Sequence, residues 1–351
     1  MNGKNVLVIG AAGALGTLIC DEVQKYAPEL TLFLGDYRPE RGRALAASRG
    51  VDYRLTDLED ASRLESALRG MDIVILAAAQ KEPLVQEVCL RLGIHCVDVV
   101  VSFDFCERIK RLYANARAGS CASVLMAGFF PGLSGLLLKD ATASLDEVQS
   151  LDLALIQSSN ATAGRDGVAD MLEIISQPVT TSDESGAIPG FRRRQSFSLA
   201  DGRLVYPRRI AHSEQRLLSH FWNTSLRYWT CWDSIALNVL LSALLRLRLL
   251  VPLARGIRSG KLPPGGGHKA GKSEEAVLLA RAQGLRNGEP VERNLELRVF
   301  ADYGATARTA VALARLCLTE SWNGALYPFE AADLARVLRT MDPRGIELIR
   351  A

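Results

Sequence analysis

Short apolar runs recur through the first 100 residues, and each is separated from the next by a segment with helical spacing of its apolar residues. The runs are residues 5–10, 30–34, 52–55, 73–77 and 95–101. Continuous runs of Val, Ile and Leu are typical of parallel strands that helices cover on both faces. A further helix and strand are predicted at 105–118 and 123–126. The start of the chain is therefore predicted to form an α/β, doubly wound parallel sheet.

The pattern changes after Pro131. A strand is predicted at 148–157, and hairpins are predicted around residues 200–203 and around Asn287-Gly288. Residues 212–255, 305–318 and 329–341 are predicted to be mostly helical. The length of 351 residues suits two domains, and the second is expected to contain a mostly antiparallel sheet with helices.

Composition excludes several function classes. With 42 basic and 39 acidic residues, the net charge of +3 gives no general attraction for nucleic acid. The seven cysteines are odd in number and form no C-x-x-C pair, which disfavours a disulfide framework and a zinc site. The start of the chain has no signal-peptide pattern. We therefore expect a cytoplasmic protein with no metal and no nucleic-acid partner.

The most apolar stretch is too short to cross a membrane. Its uncharged part, residues 234–245, is followed by Arg246 and Arg248, whereas a span needs about 20 apolar residues. We expect no transmembrane span and predict a buried helix, or a helix at an apolar groove or dimer contact. Trp222, Trp229 and Trp232 precede the stretch and suit either a core or an interface.

Three glycines follow the first predicted strand at a spacing that suits a dinucleotide. The strand NVLVIG leads into Gly10, Gly13 and Gly16, and a helix is predicted to follow. Such a turn directs backbone N–H groups at a pyrophosphate, and the helix N-terminus adds about half a positive charge. The spacing is G-x-x-G-x-x-G, not G-x-G-x-x-G, so a purely structural turn is the alternative. The predicted contacts here are Gly10, Ala12, Gly13, Ala14, Leu15 and Gly16.

Residues after the second strand bear on the choice between NAD and NADP. Asp36 lies 20 residues beyond Gly16, where a carboxylate binds the ribose hydroxyls and repels a 2′-phosphate. Arg38 and Arg41 follow and can accept that phosphate, so NADP is the alternative to the favoured NAD. The remaining predicted cofactor contacts are Tyr37, Arg38, Asp57, Ala77, Ala78 and Ala79.

Candidates for chemistry follow the fourth and fifth strands, because open parallel sheets bind ligands beyond the carboxyl ends of their strands. Asp98 is predicted either to act as an acid or base or to cap the next element, and Lys81 either to act in catalysis or to lie in solvent. The expected substrate contacts are Gln80, Ser102, Phe129, Phe130, Pro131 and Gly132. Asn160, Arg165 and Asp166 either bind a carboxylate or belong to a polar loop.

A second nucleotide-binding pattern is interpreted as a chance match. Residues 266–273 match G-x-x-x-x-G-K-S, the phosphate loop of nucleoside-triphosphate enzymes. That loop follows a buried strand and opens a helix, whereas Pro263 and Pro264 precede this segment and a strand is predicted after it. Residues 256–271 are therefore predicted to form a loop or flap.

Six segments along the chain resemble the saccharopine dehydrogenase-like oxidoreductases. They are GAAGALG at 10–16, LGDYRPERGRALA at 34–46, GIHCVDVV at 93–100, GFFPGLSGLLL at 128–138, GKSEE at 271–275 and ADYGATARTAVALA at 301–314. The Pro-Gly-Leu segment at 131–133 is the most specific. The resemblance implies a Rossmann dinucleotide-binding domain at 1–131, an inserted α+β domain for substrate and dimerisation at 132–303, and C-terminal helices at 304–351 that pack back on the first domain.

The resemblance also implies an NAD(P)-dependent oxidoreductase that forms a homodimer. The expected reaction is hydride transfer to or from a small imine or amino acid, or an apolar enoyl group. Phe130 stands where these proteins often have a polar residue, which favours an apolar ligand. The alternatives are a non-catalytic dinucleotide-binding module and a Rossmann protein held at a membrane surface by residues 234–254.

Overall fold

The structure is a computed structural model that describes residues 3–115, 121–180, 187–263, 269 and 271–350. The first elements are β1 (Lys4–Ile9), α1 (Ala14–Tyr26), β2 (Leu30–Asp36), α2 (Pro39–Arg49), β3 (Asp52–Leu55), α3 (Ala61–Leu68), β4 (Ile73–Leu76), α4 (Leu84–Leu92), β5 (His95–Asp98), α5 (Phe103–Ala114), β6 (Ala122–Val124) and α6 (Leu133–Thr142).

The later elements are β7 (Glu147–Gln157), α7 (Arg165–Ser176), β8 (Phe197–Ser198), β9 (Leu204–Val205), β10 (Arg208–Ile210), α8 (Ser213–Trp222), β11 (Ser225–Trp232), α9 (Ile235–Arg246), α10 (Leu250–Arg258), β12 (Glu275–Arg286), β13 (Glu289–Phe300), α11 (Asp302–Thr319), β14 (Gly324–Leu326), α12 (Pro328–Ala331), α13 (Leu334–Thr340) and β15 (Ile346–Arg350). They fall into two compact units, one made of Met1–Leu136 and Tyr303–Pro343, the other of Leu137–Asp302 and Arg344–Ala351.

The first unit contains a seven-stranded parallel sheet in the order β14-β6-β5-β4-β1-β2-β3. Its central strands are apolar on both faces: Val6–Ile9 and Ile73–Leu76 are almost completely buried. Such strands need cover on both sides, which the connecting helices supply. The predicted doubly wound α/β sheet is confirmed.

The second unit contains a six-stranded sheet in the order β10-β11-β7-β12-β13-β15. The β7–β11 pair is parallel, and the other four pairs are antiparallel. Strands β12 and β13 form the hairpin predicted at Asn287-Gly288, where both residues have positive φ angles, 52° and 80°. Strands β8 and β9 form the other predicted hairpin. The mostly antiparallel second sheet is confirmed.

The prediction that residues 212–255 are mostly helical is wrong in its middle. Residues 225–232 form β11, an eight-residue strand that pairs with β7 on one side and β10 on the other. Its sequence, SLRYWTCW, combines aromatic residues with an alternation of polar and apolar positions, which is typical of a strand. The apolar run that follows it obscured that shorter pattern.

The C-terminal segment is not only helical, as residues 304–351 were expected to be. After α11, β14 adds an edge strand to the first sheet, and β15 adds one to the second. The single helix predicted at 329–341 is two short helices, α12 and α13. The strands were missed because three and five residues are too few to show a periodicity.

Candidate functional site

The carboxyl ends of seven parallel strands meet at one edge of the first sheet. The order of the strands places β1 beside β4, and the chain leaves these two neighbours in opposite directions, to β2 and to β5. Such a reversal opens a crevice in which doubly wound sheets bind ligands. The residues that follow β1, β2, β4 and β5 are therefore the candidates for a site.

The glycine turn after β1 has no room for side chains at two of its positions. Gly10 has φ +80°, and a Cβ atom there would lie 2.9 Å from the Ala77 carbonyl oxygen. A Cβ atom on Gly16 would lie 2.1 Å from the Gly10 carbonyl oxygen. These two glycines therefore fix the tight turn and the packing of α1 against it.

Gly13 differs from the other two glycines. Its φ is −78°, and a Cβ atom would meet only the Gly10 carbonyl oxygen, at 3.2 Å. It is the N-cap of α1, and no side chain caps that helix end. The first N–H groups of a helix have no intrahelical acceptor, and Ala12, Gly13, Ala14 and Leu15 are not buried. The Gly13 N–H donates to the Gly10 carbonyl at 2.9 Å, so the donors that remain for a phosphate are those of the first turn of α1.

Asp36 ends β2 and is almost completely buried, with 2% of the residue exposed. Its Oδ1 accepts a hydrogen bond from the Arg38 N–H at 2.9 Å, and Arg41 Nη2 contacts Oδ1 and Oδ2 at 3.1 and 2.8 Å. The Arg38 and Arg41 guanidinium groups lie 5.1 and 6.0 Å from the centroid of the Tyr37 ring, which is 58% exposed. Carboxylate, cations and ring thus occupy the position predicted for the adenosine end of a dinucleotide.

Arg41 was predicted only as an alternative phosphate contact, and the structure also pairs it with Asp36. That pair compensates much of the carboxylate's charge, so the repulsion that Asp36 would exert on a 2′-phosphate is reduced. Tyr53 adds a hydrogen bond from its hydroxyl to the Asp36 carbonyl, at 2.8 Å. Arg41 lies five residues after Asp36, whereas Tyr53 lies 17 residues after it on β3, and side-chain spacing alone specifies neither contact.

The other predicted cofactor contacts lie at the same edge. Ala77, Ala78 and Ala79 directly follow β4, and the Ala78 Cβ lies 3.1 Å from where a Cβ on Gly10 would be. Small residues are needed there because the two turns come so close. Asp57 follows β3, where it accepts a hydrogen bond from the Glu59 N–H and forms an ion pair with Arg63.

Asp98 ends β5 and belongs to a series of hydrogen-bonded polar side chains. Its Oδ2 accepts a hydrogen bond from Gln86 Nε2 at 2.6 Å, and its Oδ1 accepts one from the Val100 N–H at 2.9 Å. Gln86 Oε1 in turn accepts from Gln80 Nε2 at 2.9 Å, and Gln80 Oε1 accepts from the Val85 N–H at 3.1 Å. The chain runs from a buried carboxylate to the partly exposed Gln80.

Burial raises the pKa of the Asp98 carboxyl to about 7, against hydrogen bonds from Val100 and Gln86 that lower it. Desolvation disfavours the charged form, and no cation is among the causes of the shift. The group is therefore placed to change its charge near neutral pH. Because Asp98 is only 2% exposed, it reaches outward through Gln86 and Gln80.

Gln86 was missed at the sequence level. It is completely buried on α4, whose sequence LVQEVCLRL is otherwise apolar on its inner side. A polar residue at a buried helical position needs a partner. The signal was present, but the identity of the partner depends on the packing of α4 beside β5.

Two further candidates, Lys81 and Ser102, make a surface ion pair and a helix cap. Lys81 is exposed and pairs with Glu59, which raises the pKa of its ammonium group. Ser102 is the N-cap of α5 and accepts a hydrogen bond from the Phe105 N–H at 3.4 Å. Catalytic and substrate-binding roles for these residues stay predictions.

The turn at 128–132 is closely packed. A Cβ atom on Gly132, which has φ +125°, would lie 2.3 Å from the Gly128 carbonyl oxygen, and the Gly132 N–H donates to Ser134 Oγ. The Phe129 N–H donates to Thr306 Oγ1 at 3.2 Å, and Phe129 and Pro131 are buried. Phe130, which is joined to Pro131 by a cis peptide bond, is more exposed than its neighbours. The predicted contact of these residues with a substrate remains a prediction.

Asn160, from the polar cluster predicted in the second unit, holds a loop by hydrogen bonds. The Asn160 side-chain amide accepts from the Lys269 N–H and donates to the carbonyls of Lys269 and Lys272. Half of the G-x-x-x-x-G-K-S segment at 266–273, residues 266–268 and 270, lies outside the described residues. The part that follows it enters strand β12 instead of a helix, which argues against a phosphate loop.

Each of the three tryptophans before α9 packs on a different phenylalanine ring. Trp222 packs edge-to-face on Phe221, Trp232 on Phe191, and Trp229 on Phe197. Within the described part of the chain, no group of three or more His, Cys, Asp or Glu side chains is placed to hold a metal ion. Also within the described residues, no single helix is long and apolar enough to cross a membrane, although α9 and α10 together pass that test as a pair bent by 103°.

Comparisons with known proteins support the fold. No protein-family model matches the sequence. The inverting UDP-N-acetylglucosamine 4,6-dehydratases of two Campylobacter jejuni strains are 28% identical over 134 residues, which is 36% of this chain and 40% of theirs. The chain thus matches less than half the length of these relatives.

Solved structures match over the whole chain. Apo saccharopine dehydrogenase (L-Glu forming) from Saccharomyces cerevisiae has a TM-score of 0.73 at 12% identity, covering 99% of this chain and 100% of that one. Homospermidine synthase from Legionella pneumophila, in complex with NAD, has a TM-score of 0.68 at 11% identity, covering 100% of this chain and 92% of that one. The TM-scores show a shared fold, and at these identities they show the fold alone; the resemblance expected from the sequence is confirmed at that level.

Proposed function

We propose that the protein is an NAD(P)-dependent oxidoreductase that transfers a hydride between a nicotinamide and a small organic substrate. The observation that carries the proposal is the glycine turn at the crevice between β1 and β4, with an uncapped helix end at Gly13. Every solved structure named above shares this fold, and one of them is a complex with NAD.

The residues present fit a dinucleotide. The pyrophosphate would lie at the N-terminus of α1, where a Cβ on Gly13 would otherwise project. Asp36, Tyr37, Arg38 and Arg41 would hold the adenosine end. We propose NAD as the cofactor, with NADP as the alternative that Arg38 and Arg41 favour. When bound, the nicotinamide supplies or accepts the hydride.

The hydrogen-bonded series Asp98–Gln86–Gln80 supplies the second part of the proposal, a contact to the substrate. In its observed direction, both oxygens of Asp98 accept hydrogen bonds, an arrangement that favours the ionised carboxylate. A proton on Oδ2 that points along this contact would face the Gln86 Nε2 donor; the Gln86 amide would then turn, and Gln80 would lose its acceptor. Asp98 thereby orients the Gln80 amide, and we assign Gln80 to the substrate.

The substrate class is an imine or amino acid, or an apolar enoyl group. Phe130 supports the apolar choice, because it is the more exposed residue of an otherwise buried turn at the same sheet edge. A non-catalytic dinucleotide-binding module has the same glycine turn but gives no use for an ionisable group with a pKa near 7 beside the crevice.

The test has two stages. The first titrates the protein with NADH and NADPH and follows tryptophan fluorescence; we expect at least one to bind in the micromolar range, and failure of both would contradict the proposal. The second measures oxidation of the bound cofactor at 340 nm with panels of imines, 2-oxo acids with amines, and enoyl thioesters. Cofactor binding without turnover in any class would favour the non-catalytic module.

A further inference from the structure

Helix α9 has an apolar face that the rest of the described chain leaves open. Ile235, Val239, Leu240 and Leu247 are 82, 57, 53 and 67% exposed. Their spacing places them within one side of the helix and its first following turn. Leu241, on the other side, is only 6% exposed and anchors α9 to the second unit. The open side is therefore a surface feature of a packed helix.

The helix is held firmly in this orientation. Ser234 caps its N-terminus by accepting a hydrogen bond from the Leu237 N–H at 3.3 Å. The Asn238 side chain accepts from the Trp232 N–H at 3.0 Å and donates to the Trp232 carbonyl at 2.7 Å. Because these bonds join α9 to the end of β11, the exposed face has a fixed direction.

Helix α10 continues the same surface at an angle of 103° to α9. Its Leu250, Ala254 and Ile257 are buried in the second unit, whereas Leu249 and Val251 are 46 and 36% exposed. Both helices therefore have one face inside the protein and one face outside. A pair arranged in this way can lie on an apolar boundary without crossing it.

The segment that forms this face carries charges of one sign. Residues 234–263 contain no Asp or Glu, and they contain Arg246, Arg248, Arg255, Arg258 and Lys261. Those five charges exceed the net charge of +3 for the whole chain, so the remainder is net acidic. Arg258 is paired with Asp170 and Glu173, but Arg246, Arg248 and Arg255 are exposed and have no ion pair within the described residues.

This charge pattern decides between two occupants of the face. A second copy of the chain, packed face to face, would bring unpaired arginines against arginines, and residues 234–263 supply no carboxylate to pair with them. An anionic bilayer offers acyl chains to the leucines and phosphate groups to the arginines at the same depth. We propose that α9 and α10 form a docking surface for an anionic lipid bilayer, with the α9 face at the boundary between headgroups and acyl chains.

The experiment is sedimentation of the full chain with vesicles. One set contains phosphatidylcholine alone, and the other contains phosphatidylglycerol and phosphatidylcholine at roughly 3:7. We expect binding to the anionic set only, and a fall in binding as salt rises from ~0.05 to ~0.3 M. The Arg246→Gln/Arg248→Gln/Arg255→Gln variant should bind on the order of 100-fold more weakly.

Apolar variants complete the test. Val239→Asn/Leu240→Asn should weaken vesicle binding at least tenfold, whereas Leu204→Asn/Tyr206→Asn, which changes two equally exposed residues on and after β9, should not. No sedimentation with either vesicle set would overturn the proposal. A dimer that the Val239→Asn/Leu240→Asn variant dissociates, without vesicle binding, would assign the face to a second copy. Circular dichroism and the melting temperature, measured in parallel, show whether each variant is folded.

Discussion

The two ends of the candidate crevice are built in opposite ways. At the phosphate end, Gly10, Gly13 and Gly16 contribute backbone and empty space, and only Gly13 leaves that space toward solvent. At the other end, Gln80, Gln86 and Asp98 contribute buried polar side chains in a directed chain. The first end is specified by what the residues lack, and the second by how their side chains pair.

This difference predicts different sensitivities. A turn that uses backbone N–H groups carries no titratable group, so its affinity should depend little on pH. A buried carboxyl with a pKa near 7 makes the other end depend on pH in the range where enzymes work. Variants at the two ends should therefore separate cofactor binding from turnover.

The largest effect is expected at the phosphate end. Gly13 has φ −78° and ψ 167°, which Val also adopts, so Gly13→Val makes one tight contact, at 3.2 Å from its Cβ to the Gly10 carbonyl oxygen, and fills the space where a phosphate would lie. We expect the affinity for NADH and NADPH to fall by a factor of 100 or more at every pH, because several backbone hydrogen bonds are lost together. Titration followed by fluorescence measures it.

The control for that variant is Ser48→Val, which places the same side chain on the exposed face of α2. It should leave both affinities unchanged. Unchanged affinity in Gly13→Val, with a melting temperature close to that of the wild type, would show that the turn is structural only.

The second effect is expected at Asp98. Asp98→Asn places an amide donor where the ionised carboxylate accepts, so it resembles the protonated form. Turnover by the wild type should rise with pH through about 7, and in the variant it should be roughly 100-fold lower at pH 8 and lack that rise. NADH affinity should be unchanged, because Asp98 lies away from the phosphate turn. Steady-state rates from pH 5 to 9 measure it.

Stability supplies an independent readout for the same group. A carboxyl whose pKa is raised on folding stabilises the protein below its unfolded pKa and loses that contribution as pH rises through the folded value. The wild type should therefore lose up to about 4 kcal/mol relative to Asp98→Asn between pH 4 and 7. Urea unfolding at pH 4 and pH 7 measures this difference, and Asp57→Asn is the control at a partly exposed carboxyl. Equal pH dependence in the wild type and in Asp98→Asn would contradict a buried, titrating Asp98.

The phosphate end could be predicted from the sequence, whereas the polar chain could not. The glycine positions follow from backbone sterics, since a side chain at Gly10 or Gly16 would collide with main-chain oxygens. Asp98 was also predicted, because parallel strands end at a common edge. Its connection to Gln80 through Gln86 depends on how α4 packs beside β5, and sequence spacing carries no information about that contact.

The same limit explains the errors in the second unit. The β12–β13 hairpin was predicted because Asn287-Gly288 has the positive φ angles that its turn requires. Strand β11 was missed because it pairs in parallel with β7, some 75 residues earlier in the chain, and no local turn marks it. Elements set by local backbone geometry could be predicted, and those set by distant pairing could not.

The smallest expected effect concerns Arg41, which bears on the choice between NAD and NADP at the adenosine end. Its Nη2 binds both oxygens of Asp36, at 3.1 and 2.8 Å, and its side chain is 43% exposed. Arg41→Gln frees the carboxylate to bind ribose hydroxyls and removes a cation that a 2′-phosphate would use. We expect the ratio of NADH to NADPH affinity to rise about fivefold, since a half-exposed ion pair contributes about 1 kcal/mol or less.

Arg43→Gln, which removes an exposed cation that lies over Tyr53 and makes no contact with Asp36, should leave the ratio unchanged. If both variants change the ratio equally, the general field of the arginines would determine the preference, and the contact with Asp36 would not.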